Sequence, residues 1–263
     1  MVGRPVPLHN AMTTDTPTRG RVRVEDGPKR VRVYLAGELV ADTSHVKLVY
    51  EVPYYPQYYF PIADVRTELL TPTDTVTHSP SRGDARHFTV TTDRSQAVDA
   101  ASRYPDSPIE ELRDLVRFDF AAMQWFEEDE EIFVHPRNPT TRIDVLDSSR
   151  HVQVVIDGVT VADSHRPRLL FETGLPTRYY LPKVDVRMDL LEPTASESAC
   201  PYKGTARYWS VRTGERLHED FAWSYPTPLP ESQKVAGMVC FYNERVDLIV
   251  DGEPLERPHT KFS

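Results

Sequence analysis

Sliding the chain against itself by 121 residues lays residues 31–90 on residues 152–211 without a gap, and 23 of the 60 columns are identical. Unrelated sequences of ordinary composition match in roughly one column in 16, so about 4 identities are expected by chance. The anchors include Gly37/Gly158, Glu51/Glu172, Tyr58-Tyr59/Tyr179-Tyr180, Asp64-Val65-Arg66/Asp185-Val186-Arg187, and Gly83/Gly204. A weaker match resumes at Phe118/Phe241, two residues out of the earlier register. The chain is a tandem duplication, so each copy must build a similar core, and a single fold has to satisfy both sequences. The limits that follow are a tail over residues 1–29, a first repeat over 30–138, a polar linker over 139–150, a second repeat over 151–257 and a short tail over 258–263. The two repeats are expected to pack on each other.

Composition narrows the function classes. Forty acidic against 31 basic side chains leave a net charge of −9. A field of that sign repels phosphate backbones and anionic lipid, so neither nucleic acid nor a membrane is the expected partner. No run approaches the roughly 20 apolar residues of a bilayer span, and the N-terminus lacks the apolar stretch of a signal peptide. The two cysteines, Cys200 and Cys240, make no disulfide framework and no CxxC pair. A reducing cytoplasm is the natural setting.

Within each repeat the local pattern is β. Val31-Arg32-Val33-Tyr34 alternates, residues 152–156 are β-branched and apolar apart from Gln153, and Asp157-Gly158 suits a type I′ hairpin, whose central positions both need positive φ. Residues 169–172, 186–191 and 207–212 read as further strands, with a second turn at Thr213-Gly214. One short helix per repeat is expected: after Ser107-Pro108 with Glu110 in capping position, and over residues 231–236. The fold class is all-β in two tandem domains.

The ordered motifs of the second repeat carry a resemblance. They are Val161-Ala162-Asp163-Ser164, Tyr179-Tyr180-Leu181-Pro182, residues 185–191, Cys200-Pro201-Tyr202-Lys203-Gly204, Tyr208-Trp209-Ser210-Val211 and Trp223-Ser224-Tyr225-Pro226. In that order they resemble the bacterial domain of unknown function 427 family, sometimes catalogued under a nucleotidyltransferase-like name. The resemblance implies tandem β-tent domains, each of two antiparallel sheets meeting at an angle. Zinc-bearing relatives of that fold place an aromatic-lined pocket between the sheets, but their paired CxxC zinc ligands are absent here. The first repeat keeps the family's usual tail, Trp125 through Glu131 with His135-Pro136-Arg137, and lacks the Cys-Pro-Tyr-Lys-Gly element.

Three functional readings stay open. The favoured one is a small-molecule binding module, mainly in the second repeat, with Tyr179, Tyr180, Trp209, Trp223 and Tyr225 as aromatic walls and Arg187 and Arg207 drawing an anion or zwitterion. The second is an enzyme using Cys200 as nucleophile or redox thiol, with Lys203 favouring the thiolate and Asp185 or His218 assisting. The third is a scaffold with ordinary filled cores. Asp185 and Arg187, two apart on a strand, would share a face, either as an anion site or as a clamp common to both copies. No metal and no cofactor are expected: the nine histidines form no HxxxH or HExxH array, and phosphate-binding glycine loops are missing. The acidic run at residues 127–131 reads as a solvated edge. Homo-oligomerisation is left open.

Overall fold

The same eleven-strand pattern recurs in both halves, as the duplication requires. The computed structural model describes residues 22–52, 55–260 and 262–263. Its first half comprises β1 (Arg23–Asp26), β2 (Val31–Leu35), β3 (Glu38–Thr43), β4 (Lys47–Val52), β5 (Tyr55–Pro61), β6 (Leu70–Ser79), β7 (Gly83–Thr91), β8 (Gln96–Arg103), β9 (Leu115–Phe118), β10 (Gln124–Glu127) and β11 (Glu130–Ile132). The second comprises β12 (Ile143–Asp147), β13 (Val152–Ile156), β14 (Val159–Ser164), β15 (Arg168–Glu172), β16 (Arg178–Leu181), β17 (Leu191–Cys200), β18 (Gly204–Thr213), β19 (Arg216–Ser224), β20 (Val239–Phe241), β21 (Asp247–Val250) and β22 (Glu253–Pro254). Each half folds into a seven-stranded sheet, ordered β1-β4-β5-β9-β8-β7-β6 and β12-β15-β16-β20-β19-β18-β17, and a four-stranded sheet. All pairings between the named strands are antiparallel, so the architecture is all-β twice over.

Alternation decides which face each strand buries. Val31, Val33 and Leu35 of β2, and Val152, Val154 and Ile156 of β13, turn inward between the sheets while the intervening residues are half-exposed. These side chains seed the main core of each repeat, which also takes Phe60, Phe118 and Trp125 in the first and Leu181, Phe241 and Leu248 in the second. A smaller core covers the outer face of each large sheet: Val49, Tyr59 and Leu112 in one half, Leu170, Tyr180, Trp223 and Val235 in the other.

The boundaries and the helices differ from the local reading. Residues 1–21 of the expected tail lie outside the described residues, whereas Arg23–Asp26 pairs with β4 as an edge strand. The linker likewise contains β12, paired with β15. Both edge strands are charged, which hides them from a hydrophobic pattern and protects an open sheet edge. Lys47–Asp26 and Arg168–Asp147 are the same ion pair in the two copies. Each expected helix is a 3₁₀ turn, Glu110–Leu112 and Pro230–Val235. Ser107 Oγ does accept a hydrogen bond from Ile109 N (3.1 Å), but β9 begins at Leu115, leaving too few residues to offset α-helix nucleation.

The expected strand at residues 186–191 is also corrected. Lys183–Asp185 and Met188–Leu190 are 3₁₀ turns, with Val186 bridging singly to Ala162. This segment joins β16 to β17 within the seven-stranded sheet and touches β14 of the four-stranded sheet on its way. Arg187 N donates to Val161 O (2.9 Å), and Arg66 N to Val40 O in the first repeat (2.9 Å). Val161 and Val40 are the extra residues of matching bulges, where β14 and β3 slip by one against β13 and β2. The Asp-Val-Arg motif therefore clamps a bulge in both copies.

Candidate functional site

The duplication separates structural side chains from those one copy alone carries. Asp185 accepts from Ser164 Oγ (2.8 Å) and Arg166 (3.0 Å), matching Asp64 and Thr43 in the first repeat (2.6 Å). Arg187 pairs with Asp189, as Arg66 does with Glu68. Asp185 and Arg187 thus serve the clamp and do not meet each other. Tyr179 belongs to the inter-sheet core, while Tyr180, Trp223 and Tyr225 fill the outer core, with Trp223 Nε1 donating to Tyr180 Oη (3.2 Å). Trp209 packs at the edge of the inter-sheet core under Lys183, and Arg207 is an exposed partner of Glu197. None of these seven expected ligand-binding residues lines either of the two cavities described below.

The expected catalytic group is dispersed as well. Lys203 is held by Glu172, both largely buried, where the first repeat has Arg82 on Glu51 (2.6 Å). Its amine is committed to a carboxylate that the fold needs. Cys200 faces Gly204 at the start of β18, whereas His218 faces Val211 seven residues along. At about 3.3 Å per residue they are roughly 20 Å apart. Cys240 is fully buried, and burial pushes its thiol up to about 12. Iodoacetamide at pH 8 is expected to label the half-exposed Cys200 alone in the folded protein, with Cys240 modified only after unfolding. Mass spectrometry reads this directly, and two adducts on native protein would contradict the burial.

A groove of about 420 Å³ opens instead on the second repeat, lined by Ile156, Asp157, Arg216, His218, Phe221, Glu244, Arg245 and Arg257. Strand pairing identifies the first-repeat counterparts of five of them. Val90 faces Ala97 as Val211 faces His218, and Phe88 faces Ala101 as Trp209 faces Ala222. Tyr34 faces Gln124 as Val155 faces Asp247, which accounts for the two-residue shift in register. Asp157, His218, Phe221, Glu244 and Arg245 therefore stand where the first repeat has Ala36, Ala97, Ala100, Ala121 and Ala122. One backbone accepts either set, so the fold does not demand the polar and aromatic side chains.

The groove is organised in two layers. Asp157 sits in the left-handed region (φ 50°) at the hairpin turn, which is why its carboxylate reaches sideways to β18 and β19. Hydrogen bonds from Thr213 Oγ1 (2.9 Å) and His218 Nε2 (2.7 Å) hold that carboxyl below its ordinary range. Thr213 Oγ1 also lies 3.0 Å from the same ring nitrogen, so the arrangement orients the imidazole rather than relaying a proton. Phe221 lies against His218 (4.8 Å between centroids), and the Arg245 guanidinium rests over Phe221 and Tyr242. Arg216 reaches Asp157 at only 3.4 Å, and Arg257 leans on Asp247.

Behind this layer Arg178 makes a two-pronged bond to Glu244 (2.7 and 2.8 Å), with Asn243 and Thr260 completing the network. Burial works against the Glu244 charge, but the bonds from Arg178 and Thr260 outweigh it and hold the carboxyl below its usual range. In the first repeat these positions are Gln57, Phe120 and Ala121. Arg245 has no carboxylate within ion-pair distance among the described residues. Of the groove's eight lining residues, His218 alone stands among the functional candidates read from the sequence. For Asp157, Phe221, Glu244 and Arg245 the signal was present as columns pairing alanine with a charged or aromatic residue.

A second cavity, about 260 Å³, lies between the repeats, lined by Val46, Leu48, Tyr58, Ile143, Tyr202 and neighbouring residues. Its polar rim is already engaged: Arg137 with Glu231 (2.7 Å), Asn138 N with Tyr202 Oη, and Tyr58 Oη with Glu127 (2.7 Å). The acidic run over 127–131 makes the β10–β11 hairpin, with Asp129 paired to Arg32 (2.8 Å).

Among the described residues no helix is long and apolar enough to cross a membrane. No curated protein matches the chain. A family model described as a domain of unknown function, DUF427, matches residues 23–129 and again residues 144–252. Two matches that follow the two eleven-strand units, and together span most of the chain, make this protein a tandem member of the DUF427 family.

Proposed function

We propose that the protein binds a small organic anion with a planar or apolar body in the groove of its second repeat. The observation that carries this reading is the five-position contrast: alanine throughout in the first copy, and Asp157, His218, Phe221, Glu244 and Arg245 on the same backbone in the second. Residues needed only for folding are expected in both copies, as with the Asp-Val-Arg clamp. Ile156 and Phe221 provide apolar lining, and Arg216, Arg245 and Arg257 provide guanidinium edges suited to carboxylate or phosphate oxygens. A cationic groove on a chain of net charge −9 concentrates anions at that one place. The two free cysteines agree with a reducing, cytoplasmic setting.

Calorimetric titration with phenyl phosphate and benzoate tests the proposal. Wild type is expected to bind one equivalent of at least one probe. The double variant Arg216→Ser with Arg245→Ala copies the first repeat's Ser95 and Ala122, so it keeps the fold and is expected to bind ~10–100-fold more weakly. Equal binding by the two proteins, or none by wild type at millimolar probe, would overturn the reading.

A further inference from the structure

Outside the groove, the β13–β14 hairpin gathers a group that the sequence patterns searched for metal sites do not describe. Val152 faces Ser164 and Gln153 faces Asp163, so His151 falls opposite His165 at the open end of the hairpin. Period-two alternation then puts His151, Gln153, Asp163 and His165 on one face, while Val152 and Ser164 turn inward. The imidazoles of His151 and His165 stack at 4.0 Å between centroids and 13° between planes. His151 Nε2 lies 2.7 Å from Asp163 Oδ1, and one ligand atom from each of the three residues falls within 4.8 Å of the other two.

We propose that His151, Asp163 and His165 bind a divalent first-row transition ion, with zinc the first candidate. Two imidazole nitrogens and one carboxylate oxygen form a recurrent zinc donor set, and a tetrahedral ion at about 2.1 Å from each donor needs donors about 3.4 Å apart. Small rotations of these largely exposed side chains, opening the His151–Asp163 contact and drawing in His165, reach that spacing. Gln153 Nε2 donates to Asp163 Oδ2 (2.9 Å), leaving Oδ1 for the ion and fixing the carboxylate as a supporting shell does. The guanidiniums adjacent in sequence do not compete, because Arg166 is committed to Asp185 and Arg150 to Asp251.

The first repeat again supplies the contrast. Its Asp42, equivalent to Asp163, is neutralised by Arg30 through Nε (2.8 Å) and a second N–H, and Ser44 replaces His165. The carboxylate is common to both copies. In one its cation is a built-in guanidinium, and in the other two imidazoles leave room for an ion with a coordination position open to water.

Titration with zinc sulfate by calorimetry, and with cobalt(II) followed by its visible absorption, tests this. Wild type is expected to take up one equivalent with a dissociation constant in the micromolar range and to show a cobalt band. His151→Arg with His165→Ser reproduces the first repeat's residues and is expected to lose that equivalent. The near-isosteric Asp163→Asn is expected to weaken it at least ~10-fold, and it decides the matter should the double variant misfold. His78→Ala, which removes another exposed His–Asp pair, is expected to bind like wild type. Wild type binding no tighter than millimolar, full uptake by either site variant, or loss of uptake in His78→Ala would overturn the proposal.

Discussion

Replacing Glu244 with alanine is expected to cost the second repeat about 3–5 kcal/mol, because it strands the Arg178 guanidinium in a site where that side chain is only 7% exposed. The loss is a large part of the 5–15 kcal/mol that holds a typical domain folded, and it should lower the midpoint of thermal unfolding by roughly 10–20 °C. The double replacement Arg178→Gln with Glu244→Ala is expected to recover most of the loss. It installs Gln57 and Ala121 of the first repeat, a pair already compatible with this backbone. Paired denaturation curves for the single and double variants measure the difference. A double variant no more stable than the single would show that burial of the pair is not the source of the effect. The acid limb carries a second signature. The Glu244 carboxyl is lower in the folded protein than its unfolded value of about 4.3, so its contribution is fully present above that pH and fades as pH falls through the folded value. The Glu244→Ala protein should lack that component of acid sensitivity.

Trp125→Ala is expected to destabilise the first repeat by about 3–5 kcal/mol, the range for removing a large aromatic ring from a core. Trp125 is 2% exposed, stacks on Phe120 (5.0 Å, 10°), and touches Phe60 and Tyr58. Its indole N–H has no hydrogen-bond partner. Trp125→Phe gives up some contact area but also removes a stranded buried donor, so it is expected to cost about 1 kcal/mol or less. Chemical unfolding followed by circular dichroism separates the two variants, and equal losses would mean that Nε1 is satisfied in solution. The remaining tryptophans, Trp209 and Trp223, lie in the second repeat, so fluorescence of Trp125→Ala reports that half alone.

Where sequence reading succeeded, the signal was local or doubled. The Asp157-Gly158 turn has both residues at positive φ (50° and 78°), and Ala36-Gly37 repeats it (50° and 81°), because a two-residue hairpin leaves the backbone no other course. The all-β class followed from alternation, which the pleat imposes on any half-buried strand. Edge strands β1 and β12 escaped notice because their stability comes from pairing to β4 and β15 and owes little to apolar pattern. The aromatic residues chosen as pocket walls were conspicuous for their size, and size is also what fills a core. Tyr180 and Trp223 went there. Arg245 and Phe221 looked ordinary, and only pairing across the sheet placed them beside His218 and Asp157.

The amino-acid sequence by itself determined the duplication, the antiparallel hairpins and the residues that turn inward, since each depends on neighbours a few positions away or on an identical copy of the motif. Only the tertiary structure decided which polar side chains meet. Counted from the turn alone, where Ile156 faces Val159, His151 would fall opposite Ser164 and His165 would point to the other side of the sheet. The extra residue at Val161, held by the Arg187 N–H of a segment arriving from the other sheet, shifts the register by one and brings both histidines and Asp163 to one face. A side-chain period of two makes that single residue decisive, and the bond that secures it comes from a segment more than twenty residues farther along the chain.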